Sequence, residues 1–444
     1  MAARPPKKTD PSSAQFTEMS IPPVGALGTT GRYLVLFREG TPDAAAKALH
    51  NSAGLRVTRF GDMSAAALDA PDGDGVMFDE IGVAVVDSDP DQLRQLGMAA
   101  ADTTNDILAV EPERVMYAIG AIPGAEYFAG YRDGVNALVE RAIGNRQPGA
   151  AMAAAGFNPF DESAATWGLQ STNTLTSLSS GKGIRVAVLD TGFDLTHPDF
   201  AGRNVTTRSF IAGEVAQDGH GHGTHCIGTA CGPRVPGSLP RYGIAYEAEI
   251  FAGKVLSNAG SGADRGILAG INWAIAQKCV VISMSLGAPT QPGEAFSPVY
   301  EAVARRALQR GSLIVAAAGN ESHRPFLTSP VGRPANCPSI LAVAAIDPNL
   351  TVATFSCGQI NGIGGEVNIA APGVAVRSSW PQPVRYNTIS GTSMATPHVA
   401  GIAALHAQAN PNARGQALWN LVTANVSALS LPASDVGTGL ALAP

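Results

Sequence analysis

The chain has 444 residues, 45% of them hydrophobic and 15% charged, which predicts a globular protein of about two domains. A net charge of −6 without any dense lysine and arginine block excludes an extended nucleic-acid surface. No apolar run reaches the roughly 18 residues of a membrane span.

The N-terminal stretch MAARPPKKTDPSSAQFTEMS lacks the apolar segment of a secretory signal. It predicts a cytoplasmic protein, or a secreted one if a leader is absent from this form. Residues 1–30 are rich in Pro, Ser, Gly and Thr without periodicity and read as a disordered tail. Over 31–119 the pattern predicts a strand at Tyr33–Phe37, a helix at Pro42–Ser52 and strands at Leu55–Phe60 and Ile81–Val86. A helix capped by Asp89 or Asp91 and a last strand across Ile107–Val110 and Val115–Tyr117 follow. The order β-α-β-β-α-β suggests a small ferredoxin-like α+β unit. Residues 120–165 read as a linker with a helix at Tyr127–Ile143 and a flexible stretch at Gly144–Gly156.

From 166 to 444 apolar runs alternate with helical segments. Ile184–Leu189, Ile250–Val255, Val280–Met284, Leu313–Ala317 and Ile340–Ile346 are continuous apolar runs, suited to strands covered on both faces. Gly266–Gln277 and Pro298–Arg310 read as helices between them. The expected fold is α/β, a doubly wound, mostly parallel sheet. The five cysteines, Cys226, Cys231, Cys279, Cys337 and Cys357, are too few and odd in number for a disulfide framework. They read as small buried thiols, with a Cys337–Cys357 bridge as the alternative.

Four segments carry chemistry. VAVLDTG ends an apolar strand in Asp190, where a carboxylate can accept from an imidazole and fix its tautomer; a turn cap is the plainer reading. HGHGTH offers His220, His222 and His225. Three imidazoles in a glycine-rich turn suit zinc, but no further ligand set completes a site, so one catalytic histidine competes with a metallohydrolase. GTSMATPHVAG sets Ser393 at the start of an apolar helix, where a free backbone N–H can meet an oxyanion. AAAGN ends a strand in Asn320, a neutral amide donor. Each alone has an ordinary structural explanation. Together they give Asp, His and Ser in one α/β domain, in the chain order that defines one form of the catalytic triad.

On these segments, with VISMSLG, FSCG and APG, residues 166–443 resemble the subtilisin-like serine proteases, nearest the proteinase K branch in HGTHC. The resemblance implies Ser393 as nucleophile, His222 as general base and Asp190 as the orienting carboxylate, with Asn320 and the Ser393 amide as oxyanion donors and Thr392 in support. It implies a substrate channel between Ser285-Leu286-Gly287 and Gly260-Ser261-Gly262, and pocket walls at Gly319 and Gly332. Structural calcium is implied on the carbonyls of Pro338 and Ile340, although Asn368 stands where the family has an acid; no other cofactor is expected. Residues 31–119, most clearly VEPERVMYAIG, resemble the inhibitory propeptide of that family. The partners implied are peptide or protein substrates and the chain's own N-terminal domain, in a monomer that engages neither nucleic acid nor membrane. The propeptide junction falls near Ala118–Gly124 or near Ala164–Trp167.

Overall fold

The computed structural model describes residues 28–61, 63–119 and 159–444. The expected helix at Tyr127–Ile143 and the stretch Gly144–Gly156 lie outside these. Among the described residues no helix is long and apolar enough to cross a membrane.

The N-terminal unit runs β1 (Thr29–Phe37), α1 (Pro42–Ala53), β2 (Val57–Arg59), α2 (Ala65–Asp69), β3 (Gly75–Phe78), β4 (Val83–Val86), α3 (Pro90–Ala101) and β5 (Ile107–Ala118). Thr41 caps α1, and Asp89 caps α3 in a reciprocal capping box with Gln92. The strand order β5-β1-β4-β3-β2 gives the expected ferredoxin-like arrangement with one correction. The inner strand is Gly75–Phe78, whereas Val57–Arg59 is a short parallel edge. That inner strand has only three apolar residues behind a PDGDG turn, too little signal to stand out. Alternation along β1 splits the core. Tyr33, Val35 and Phe37 pack towards α1 and α3, while Leu34 and Leu36 join the core of the larger domain.

In the larger domain α4 (Trp167–Ser171) precedes β6 (Arg185–Asp190), β7 (Val205–Ser209), α5 (His222–Cys231), β8 (Glu249–Lys254), β9 (Ser261–Ala263) and α6 (Asp264–Ala276). Then come β10 (Val281–Met284), β11 (Leu286–Gly287), α7 (Pro298–Gln309), β12 (Leu313–Ala317), β13 (Leu341–Ile346), β14 (Ile369–Pro372), β15 (Val376–Ser379) and β16 (Tyr386–Ile389). The chain closes with α8 (Thr392–Ala409), α9 (Gln416–Ala424), β17 (Val426–Ser427), α10 (Ala433–Val436) and β18 (Leu440–Ala441). The main sheet has nine strands in the order β17-β18-β14-β13-β12-β10-β6-β8-β7, parallel except for the β17–β18 pair.

Successive residues of β6 face opposite layers. Val186 and Val188 pack with Ile227, Met394 and Val399 of α5 and α8; Ala187 and Leu189 pack with Ile267, Ile271 and Val303 of α6 and α7. This burial on both faces is why the strand reads as a continuous apolar run. The chain leaves β6 towards β8 on one side and continues from β10 towards β14 on the other. The carboxyl ends of β6 and β10 therefore border a topological switch point, where open α/β sheets place their sites. All five cysteines are buried and free, so the Cys337–Cys357 alternative is excluded and the thiols serve as packing.

Candidate active site

Asp190 is the last residue of β6, and His222 is the first of α5. Their side chains meet at 2.8 Å between Asp190 Oδ1 and His222 Nδ1. This bond fixes the proton on Nδ1 and leaves the Nε2 lone pair, which is buried and has no hydrogen-bond partner. Burial pushes the imidazole pKa down, but the adjacent Asp190 carboxylate outweighs it and holds the pKa well above its ordinary value.

Ser393 is the second residue of α8, fully buried, at the positive end of the helix. Its single hydroxyl proton faces two acceptors, the Ile119 carbonyl at 3.0 Å and the Ser285 carbonyl at 3.2 Å. The Ser393 hydroxyl thus makes no hydrogen bond to His222 Nε2. Asn320 Oδ1 accepts from the Thr392 N–H and from Thr392 Oγ1, both at 2.9 Å. Those two bonds aim the amide nitrogen into the cleft, 3.4 Å from the same Ile119 carbonyl. Thr392 Oγ1 also accepts from the Gly319 N–H at 3.2 Å, which ties Asn320 and Thr392 to the turn after β12.

Ile119 ends an extended strand that fills the expected channel. β5 pairs antiparallel with β11, Tyr117 opposite Gly287 and Ala118 opposite Leu286. On its other edge it pairs with β9, Met116 opposite Gly262 and Tyr117 opposite Ser261. The Ala118 N–H donates to the Gly260 carbonyl at 2.8 Å, and the Ile119 N–H to the Ser285 carbonyl at 3.3 Å. The structure thus gathers Ser285, Leu286, Gly287, Gly260, Ser261 and Gly262 around one strand. Gly332 hydrogen-bonds Ala318 at 2.8 Å, and a Cβ on it would lie 2.8 Å from the Ala288 carbonyl. Gly319 adopts φ +116°, and a side chain there would strike the Glu321 carboxylate and the Cys357 thiol.

Among the described residues the three histidines do not form a metal cluster; the one compact group of metal-binding side chains is Asp190, His222 and Cys226. His225 Nε2 faces the Val376 carbonyl at 3.0 Å, and burial pushes its pKa down to about 3, so it stays a neutral structural group. Burial also raises the Cys226 thiol, against the thiolate a metal would require. The calcium residues do not fit a hard cation either. The Glu301 carboxylate beside Pro338 and Ile340 is taken by the Ser339 N–H at 2.9 Å and hydroxyl at 2.7 Å. Asn368 Oδ1 is committed to the Ala342 N–H at 2.7 Å, which leaves no free carboxylate in the set.

Residues 181–439 match the family model described as the subtilase family, peptidase S8. The chain belongs to the subtilase family. Subtilisin NAT of Bacillus subtilis subsp. natto is 41% identical over 234 residues, 52% of this chain and 57% of that protein. M-protease of Shouchella clausii (strain KSM-K16) is 42% identical over 234 residues, 52% of this chain and 56% of its own length. The chain therefore spans a little over half the length of these relatives. Among solved structures, sphericase superposes with a TM-score of 0.54 at 33% identity, covering 63% of this chain and 99% of that one.

Two residues of this subtilase escaped the sequence reading. Buried Asp218 accepts five hydrogen bonds: Oδ1 from Thr191 Oγ1 (2.9 Å), the His220 N–H (3.0 Å) and the Gly221 N–H (2.8 Å), Oδ2 from the Thr224 N–H (2.8 Å) and Thr224 Oγ1 (2.7 Å). It ties the turn after Asp190 to the first turn of α5. Its one signal is an acid just before the helix, hidden behind two glycines. Buried Lys254, at the end of β8, donates to the Thr191 carbonyl and to Asn258 Oδ1 (2.8 Å), and lies 3.1 Å from Glu214. A lysine ending an apolar run gives no hint of that role.

Proposed function

We propose that this subtilase is a serine endopeptidase made as a zymogen, with Ser393, His222 and Asp190 as its triad and residues 31–119 as its intramolecular inhibitor. The observation that carries this reading is the Ile119 carbonyl, which lies within hydrogen-bond reach of both Ser393 Oγ and Asn320 Nδ2. A nucleophile and an oxyanion donor converge on one carbonyl, at the end of a strand held in the substrate register.

The steps follow from the atoms present. Rotation about the Ser393 side chain brings its hydroxyl to the unpartnered Nε2 of His222. Nε2 takes the proton as Oγ attacks the Ile119 carbonyl carbon, and Asp190 stabilises the imidazolium. The oxyanion develops against Asn320 and the Ser393 N–H. His222 then gives its proton to the nitrogen of Gly120, the Ile119–Gly120 bond breaks, and water releases the acyl group by the same sequence. Of the two junctions considered from the sequence, this favours the one near Ala118–Gly124. Once cut, β5 would remain in the channel as a product and block external peptides.

The test is N-terminal sequencing of the purified protein. Wild type is expected to yield a fragment beginning at Gly120, and Ser393→Ala to remain whole. A first cut in wild type near Ala164–Trp167, or self-cleavage by Ser393→Ala, would overturn the reading.

A further inference from the structure

Across the seam between the two units, several arginines of the larger domain reach the N-terminal unit: Arg208 donates to the Met63 carbonyl at 2.8 Å, and Arg306 gathers carbonyls from three residues. Buried Arg265 pairs with the exposed Asp69 carboxylate and donates to the Asp69 carbonyl at 3.0 Å, while Arg310 pairs with Glu80 partly in solvent. A pair open to water on both sides, such as Arg310 with Glu80, contributes little. Arg306, in the last turn of α7, is 8% exposed, and its acceptors across the seam are three carbonyls and no carboxylate. One guanidinium nitrogen donates to Ile81 O and to Gly82 O (3.1 Å), and the other donates to Phe37 O. These carbonyls come from the end of β1 and the corner before β4, which the Phe37 N–H closes by donating to Gly82 O at 3.1 Å.

Gly82 makes the fit possible. It has φ +58°, and a Cβ on it would lie 2.4 Å from the Arg306 guanidinium. A planar fork of donors suits three converging carbonyls, and a lysine ammonium cannot reproduce it. With Arg306 truncated, three carbonyls in the seam lose a charged donor, a far larger loss than that of a solvated ion pair. Arg306 touches none of Asp190, His222, Ser393 or Asn320.

Resting on the zymogen reading above, we infer that Arg306 sets how long the cut N-terminal unit stays on the enzyme, and that it selects for a folded hairpin corner with glycine at position 82. Partners recognised at this surface are folded domains that present three convergent backbone carbonyls. A β5-like peptide lacks that corner and is held only by the channel.

The experiment uses the full chain and follows two signals: fragments on a denaturing gel and hydrolysis of a small peptide. Wild type is expected to cut first and become active after a lag. Arg306→Ala and Gly82→Ala should each shorten that lag at least about 10-fold while the final specific activity equals wild type. The double variant should fall clearly short of the product of the two single effects, because both remove the same contact and only the strain of a side chain at φ +58° in Gly82→Ala adds to it. Arg306→Lys should recover only part of the lag. A wild type that is active as soon as it is cut, an unchanged lag in Gly82→Ala, additive effects, or full recovery by Arg306→Lys would overturn the inference. If Arg306→Ala fails to fold, the Gly82→Ala lag decides. A wild type that neither cuts itself nor reacts with a fluorophosphonate refutes the proteolytic reading instead.

Discussion

Replacing Asp218 tests whether a residue outside the triad holds the histidine turn in place. Its carboxylate accepts five hydrogen bonds in a buried setting, three of them from backbone N–H groups of His220, Gly221 and Thr224. Asp218→Ala strands those donors at the start of α5. Unmet buried donors cost about 1–3 kcal/mol each, but entering water and partial relaxation make the sum far from additive. A loss of about 3–5 kcal/mol is expected. Asp218→Asn keeps an oxygen for the Thr191, His220 and Gly221 donors but turns an amide NH2 towards the Thr224 N–H, so about half that loss follows. The assay is denaturant unfolding in the Ser393→Ala background, where self-cleavage cannot intervene. Burial alone would raise the Asp218 pKa, yet its hydrogen bonds outweigh that and hold it below the ordinary value. The contribution is therefore full above the unfolded carboxyl value, about pH 4, and fades as pH falls through the lower folded value. An Asp218→Ala loss below about 1 kcal/mol would refute the argument.

Three further outcomes are expected. Asn320→Ala should lower kcat by roughly 10²–10³ with little change in KM, a magnitude that comes from subtilisin itself rather than from this structure; a pure KM effect would contradict the oxyanion role. Because catalysis needs neutral His222 and Asp190 raises its pKa, the acid limb of kcat/KM should lie above pH 6.5, and the residual activity of Asp190→Asn should show that limb shifted downwards; a limb below pH 6 in wild type would contradict the pairing. Calcium should gain no hold at the Pro338, Ile340 and Asn368 segment, since the nearby Glu301 carboxylate and Asn368 Oδ1 already accept hydrogen bonds; a rise in melting temperature with added calcium that Asn368→Ala abolishes would contradict this.

Much of the site was legible in the sequence because subtilases carry it on short continuous segments. Asp190, His222, Asn320 and Ser393 each follow or open a regular element, and apolar strands with glycine turns mark those ends. The channel residues could be listed only through family resemblance, since Leu286 and Gly262 look like any strand edge until β5 lies between them. What stayed hidden depends on long-range packing. Asp218 and Lys254 act on backbone groups that local sequence does not bring together. Arg306 reads carbonyls more than 200 residues away in the chain. The strand Gly75–Phe78 was missed because its apolar run is short and framed by turn residues.

The central claim is that Ser393 is an activated nucleophile in a site first covered by the chain's own strand. The direct measurement is mass-spectrometric mapping of a fluorophosphonate adduct as the protein matures. The adduct is expected on Ser393, absent while the chain is whole and appearing only once residues up to Ile119 have been released. Labelling at another residue, or full labelling of the uncut chain, would contradict the account.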